Sequence, residues 1–224
     1  MINEIDRLLR RLSAHVTPGH LGSLPQALPP HLPSEYFEIL KVSNGFCLFS
    51  SAFRFFGLSS FDGIPSIMEW NRSDWINEYG HLARGLTFFA EDLFGDQYAF
   101  KSTLAGGVDL VKFWCEGGRA DVLCASSLLH WLTHTVLEEK PDLFDHRLAR
   151  EATLTGLRPS TREHLSFVLP LICGGAYEVS NLEVLNGSDH LSILGQISLR
   201  NLNLPDGAKI REFREATDDD DSGT

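Results

Sequence analysis

His130 and His134 stand four residues apart in the run HWLTH, a spacing that puts two imidazoles on one face of a helix. Zinc hydrolases of the HExxH type use that spacing, but their chemistry also needs a glutamate directly after the first histidine as general base. Trp131 holds that place, so the pair reads as two partly exposed helix histidines. A second candidate is the carboxylate cluster Glu91, Asp92 and Asp96 around the turn at 93–95. Paired carboxylates can do acid–base work, and acidic loops can hold calcium. The calcium-loop spacing D-x-[DN]-x-[DN]-G is absent. The mechanical reading is that Gly95 supplies a positive φ and Asp96 accepts from turn amides. A recognition role for the three carboxylates stays open beside it. Gly-Gly pairs at 106, 117 and 174 lack the company of a G-x-G-x-x-G or phosphate-loop lysine, and no G-x-S-x-G is present. The residues therefore supply no catalytic constellation, no metal ligand set and no cofactor motif.

These side chains must be positioned by a chain of 224 residues, 43% hydrophobic and 22% charged, which is long enough to bury a core. No apolar run approaches the ~18 residues of a membrane helix. The start, MINEIDRLLRRL, mixes charge with apolar residues rather than forming a secretory signal, so the expected location is cytoplasmic. Cys47, Cys115, Cys124 and Cys173 form no CxxC pair and are expected to be reduced, buried small hydrophobes. The net charge is −11; removing the four charges of Asp218–Asp221 leaves −7. An acidic body argues against nucleic-acid binding, which needs a basic face, and suits a basic protein partner.

Helical periodicity predicts an amphipathic helix from Ile2 to Leu12, followed by a proline-rich connector over 17–33. A second helix is expected after Pro33, with Ser34 as N-cap and an end at Ser43-Asn44-Gly45, where Gly45 takes the left-handed C′ conformation. Short aromatic strands follow from Phe46, then a short helix over 65–71 with Trp70. LTFFAED and QYAFK around Phe94-Gly95-Asp96 predict a hairpin. VDLVKFW and DVLCA read as further strands. Ser126 or Ser127 should cap a helix reaching Lys140, with more helix through Ala152. Beyond it a short helix at 161–165 and strands at 177–185, 190–199 and 208–214 are expected, separated by Asn-Gly and Pro-Asp-Gly turns. Trp70, Trp75 and Trp131 are either core residues or interface anchors.

This order predicts an α+β fold: an antiparallel β-sheet with helices packed mainly on one side, plus a C-terminal β-rich extension. The division expected is a domain over 1–152, an extension over 153–216 and an acidic tail over 217–224.

Four segments, LPPHLPSEYFEILKVSNGF (28–46), FFAEDLFGDQYAFK (88–101), VKFWCEGG (111–118) and SSLLHWLTHTV (126–136), stand out by their order and wording. Together they resemble the SUKH superfamily, the Smi/Knr-type group of fungal cell-wall regulators and bacterial toxin-immunity proteins. The second segment is the most specific. Asn44, Gly45, Gly95 and Asp96 fall on recurrent positions of the family, and Trp131 matches the tryptophan of its closing helix; these read as structural. The resemblance implies an antiparallel sheet with flanking helices and a surface cleft for protein recognition. It implies no catalytic residue. The function expected is a non-enzymatic protein-binding domain, an immunity protein whose partner is a toxin. The alternative is a regulatory scaffold, and an enzyme using Glu91, Asp92 and Asp96 is the third class. Glu91, Asp92, Asp96 and Trp70 are the candidate partner-binding residues.

Overall fold

Phenylalanine-rich runs punctuated by glycine turns favour short strands that pair with their chain neighbours. The computed structural model describes residues 32–41, 43–125, 127–138 and 145–202. The helix expected from Ile2 to Leu12, most of the connector over 17–33, the strand expected at 208–214 and the tail over 217–224 lie outside the described residues. Helix α1 (Ser34–Leu40) precedes strands β1 (Phe46–Leu48), β2 (Phe53–Phe55), β3 (Leu86–Asp92), β4 (Gln97–Ser102), β5 (Val108–Trp114) and β6 (Arg119–Val122). These form one antiparallel sheet in the order β1-β2-β3-β4-β5-β6. Short helices α2 (Ile67–Trp70) and α3 (Trp75–Tyr79) lie between β2 and β3, and α4 (Leu128–Trp131) follows β6. The C-terminal part contributes α5 (His146–Leu154), the antiparallel pair β7 (Glu163–Phe167) and β8 (Leu182–Asn186), and α6 (Gly187–Asn201). The expected α+β architecture, with its antiparallel sheet and C-terminal strands, is present.

Successive strand residues face opposite sides, and aromatic rings fill both. Phe53, Phe55, Tyr98 and Phe100 meet Tyr36 of α1 and Trp131 of α4 on one face. Phe88 and Phe113 meet Trp75 and Tyr79 of α3 on the other, where Trp70 of α2 adjoins Trp75. Phe89, next to Phe88, points to the first face and stacks on Phe100 at 4.2 Å, and the bulge between Phe88 and Ala90 brings Ala90, opposite Tyr98, to that face as well. Each favourable ring pair adds about 0.5–1.5 kcal/mol beyond area burial.

Five local expectations need correction. Pro33 occupies the N-cap place of α1, and Ser34 begins the helix without a side-chain cap. That helix stops at Leu40; Gly45, at φ +78°, instead turns the chain into β1. The helix after Ser127 is α-helical only to Trp131 and continues as a π-helical turn over Leu132–Val136. There the Thr133 hydroxyl takes the Leu129 carbonyl at 2.9 Å, competing with the next turn's backbone amide. Residues 161–165 are not helical: Thr161 Oγ1 and Arg162 Nε reach the Asp62 and Gly63 carbonyls, and β7 starts at Glu163. Finally, 190–199 is helix rather than strand. Asn186 caps α6 by accepting from the Ser188 and Asp189 amides, so Asn186-Gly187 opens a helix instead of closing a hairpin. Gly195 lets α6 lie against α3, since a Cβ there would come within 2.9 Å of Glu78.

Candidate functional site

Glu91 and Asp92 are neighbours on β3, so the pleat sends them to opposite faces of the sheet. Both are buried, which requires each to find ionic or hydrogen-bonding partners. Glu91 faces Arg54, its register partner on β2, with Nη1 2.7 Å from Oε1. Arg54 also donates from Nη2 to the Glu163 carbonyl at 2.6 Å and from Nε to the Ser51 carbonyl at 3.1 Å. Ser51 ends three consecutive left-handed residues, Phe49, Ser50 and Ser51, a turn that costs L-residues ~1–2 kcal/mol each. The guanidinium thus joins a strained turn, the central sheet and β7. Gln97 donates to Glu91 Oε2 at 3.2 Å while its oxygen accepts from Trp70 Nε1 at 2.8 Å.

The other partner of Glu91 comes from the C-terminal part. His164 Nε2 lies 3.2 Å from Glu91 Oε2, and His164 Nδ1 lies 3.1 Å from His190 Nδ1. Burial pushes the Glu91 carboxyl up, but Arg54 and His164 outweigh it and hold the group at about 2. Burial lowers the His164 pKa against the pull of Glu91; burial and the neighbouring His164 bring His190 to about 3. Both rings are therefore neutral at pH 7, and Glu91, being ionised, must receive the Nε2 proton of His164. Gly95 makes room for the pair: at φ +87°, a Cβ there would sit 3.0 Å from His164 Nδ1 and 3.1 Å from His190 Nδ1.

On the opposite face Lys112 stands between Asp92 and Asp96, with Nζ at 3.6 Å and 3.1 Å from their carboxylates. Tyr98 OH donates to Asp92 Oδ2 at 3.4 Å, and the amides of Phe94 and Asp96 donate to Oδ1. Asp96 accepts from the Cys115 amide at 3.0 Å. Burial, with Asp96 beside it and Lys112 opposing, raises Asp92 to about 7. The Lys112 ammonium also lies 4.0 Å above the Trp114 ring. These groups open into a cleft of about 690 Å³ whose walls include Phe94, Trp114, Phe167, Tyr177, Asp145 and His190. Phe94 stacks on Phe167, which in turn lies 5.6 Å from Tyr177. The cleft thus lies where the β3–β4 turn meets α5, β7 and the 171–177 segment.

Of the four candidate partner-binding residues, Asp92 and Asp96 line this cleft, while Glu91 and Trp70 sit behind it and border a second hollow that contains Asp62 and Arg162. Asn44 fastens the loop at 57–59, accepting from the Leu58 and Ser59 amides and donating to Ser59. Trp131 is core. His130 and His134 have ring centroids 4.4 Å apart, and His134 faces Glu138 at 3.6 Å. Among the described residues no group of three or more His, Cys, Asp and Glu is placed to hold a metal ion. The four cysteines are free thiols, but only Cys115 is buried; Cys124 is exposed and the others are half-buried, contrary to expectation. Sequence reasoning missed Arg54, Lys112, His164 and His190. A signal was present for two of them: Arg54 and Lys112 are single charges inside apolar strands, FRF and LVKFW, where burial forces a partner.

With this geometry in hand, comparisons with known proteins give three results. A family model described as the SMI1 / KNR4 family (SUKH-1) matches residues 16–134, just over half of the chain. No curated protein matches. The crystal structure of Atu4351 from Agrobacterium tumefaciens is similar in fold, with a TM-score of 0.50 at 11% identity, covering 83% of this chain and 86% of that one.

Proposed function

The chain belongs to the SMI1 / KNR4 family (SUKH-1), and from that premise we propose that it is a non-enzymatic immunity protein which neutralises a toxin by receiving a segment of it in the cleft. The family supports a protein-interaction or immunity-type domain. The observation that carries the reading to this site is the cleft itself. It presents Trp114, Phe94, Phe167 and Tyr177 as anchoring surfaces beside charges already fixed by Asp92, Lys112 and Asp96. Aromatic walls with pre-oriented polar groups are what a tight protein interface needs, because less freedom is lost on binding. The same fixation speaks against catalysis: Glu91 is held by Arg54, Gln97 and His164, and Asp92 by Lys112 and Tyr98. No helix among the described residues is long and apolar enough to cross a membrane.

Affinity capture from a lysate of the source cell, with mass spectrometry, tests the reading. Recovery of one basic toxin-like protein at near-equal stoichiometry, followed by protection of cells expressing it, is the expected result. Several regulatory or envelope-associated proteins would instead indicate a regulatory scaffold. An activity that survives changing Glu91, Asp92 and Asp96 to amides would place any catalysis elsewhere.

A further inference from the structure

Resting on the reading of the cleft as a partner site, we propose that its guest is a cationic side chain, an arginine or lysine carried on the partner protein, received by His190 Nε2 and Asp96. The histidine pair fixes the first half of this. Glu91 accepts the Nε2 proton of His164, which leaves a lone pair on His164 Nδ1. Across 3.1 Å that nitrogen can only accept, so His190 must donate from Nδ1. His190 Nε2 is then left with a bare lone pair. The ring is 3% exposed, lines the cleft, and makes no hydrogen bond from Nε2 among the described residues. An acceptor held in one tautomer by two groups behind it and open to the cleft is placed to take a donor in front.

Charge selects which donor. The cleft is lined by Asp92, Asp96, Glu116 and Asp145 against Lys112 and Arg147. Both cations are already satisfied from within, Lys112 by Asp92 and Asp96, Arg147 by Asp145 and Glu151. An anion would meet the lone pair of His190 and a lining with more carboxylates than cations. A cation meets an acceptor, carboxylates and aromatic faces, and Lys112 above Trp114 at 4.0 Å already displays that ring holding an ammonium. The acidic balance of the whole chain, −11, steers the same class of partner.

The intact protein can be tested by nitrogen-15 NMR of its histidine rings, titrated with blocked arginine and with its citrulline, norleucine and glutamate counterparts. Free protein should show His190 protonated at Nδ1. Blocked arginine should shift His190 Nε2 saturably, and citrulline, which keeps the shape without the charge, should bind at least about tenfold more weakly, as expected for a lost charged hydrogen bond. Asp96→Asn should weaken arginine by a similar factor. A proton on His190 Nε2, no saturable shift with arginine, or equal binding of citrulline, norleucine or glutamate would overturn the proposal. Partner capture that still depends on Trp114 after such a failure would leave the cleft reading standing. Capture indifferent to Trp114 would remove the cleft reading itself.

Discussion

Arg54 and Glu91 face each other across β2 and β3 at 2.7 Å, both withdrawn from solvent. Neither can lose its partner without leaving a charge in the interior. Arg54→Met should therefore cost about 3–5 kcal/mol, far more than the loss of one surface ion pair. Glu91→Gln should cost less alone, since it keeps hydrogen-bonding capacity. Urea denaturation of both single variants and the double variant checks this. Because the second change removes a charge already stranded by the first, the double loss should fall below the sum; strict additivity would mean the pair does not act as one.

Gly95→Ala should destabilise the fold more than Gly106→Ala, although both glycines have similar positive φ, +87° and +82°. Backbone strain is thus shared, at about 1 kcal/mol. The difference lies in space: nothing lies within 4 Å of a Cβ at 106, whereas one at 95 presses on His164 and His190. An excess loss of about 1 kcal/mol or more at 95, measured by thermal or urea unfolding, isolates the histidine contact. Equal losses would show that the pair yields freely.

How much of this was legible beforehand follows from which forces act locally. The hairpin β3–β4 was readable because its alternation and its Gly-Asp turn are local properties of 86–101. Helix α6 reads as a strand because Leu191, Ser192 and Ile193 alternate, while the cap that decides the issue is a single side chain, Asn186. The acidic cluster is visible in the sequence, and its split onto two faces follows from the adjacency of Glu91 and Asp92 once both lie in one strand. The partners from beyond residue 160 were beyond reach. His164 lies 73 residues from Glu91, and no spacing rule reports a contact between residues so far apart in the chain.

Stability should rise only gently with pH between 4.5 and 6.5, where the slopes of His190 and Asp92 cancel and that of His164 remains, and fall steeply below 4.5. His190 drops from an unfolded 6.5 to about 3, so its contribution is full above 6.5 and lost on acidification; His164 moves the same way. Asp92 rises from 3.8 to about 7, so its contribution is full below 3.8 and lost as pH rises. The two slopes oppose each other in that window, at up to about 1.4 kcal/mol per pH unit for each proton. Below 4.5 the carboxylate of Glu91, held at about 2, adds its own loss to that of the histidines. Asp92→Asn removes the opposing slope, so stability should then rise clearly from pH 4 to 6.5 in urea melts at fixed ionic strength. An unchanged profile would exclude Asp92 as a titrating group, whatever Asp96, Lys112 and Tyr98 around it do.

Trp114→Ala should weaken partner binding by at least about 2 kcal/mol, roughly thirtyfold, while leaving the fold intact. Trp114 is 36% exposed at the end of β5, so truncating it opens no core cavity. Its indole nitrogen donates to Asp121 at 2.8 Å and its face supports Lys112, so the ring is held in place before any partner arrives. That is the condition under which an aromatic residue contributes most at an interface, since its rotamer need not be frozen on binding. Leu104→Ala on the β4–β5 turn supplies the control, removing exposed apolar surface away from the cleft. Binding measured with the captured partner should fall for the tryptophan variant alone. Equal losses would point to a general surface effect, and none at all would move the interface away from the cleft.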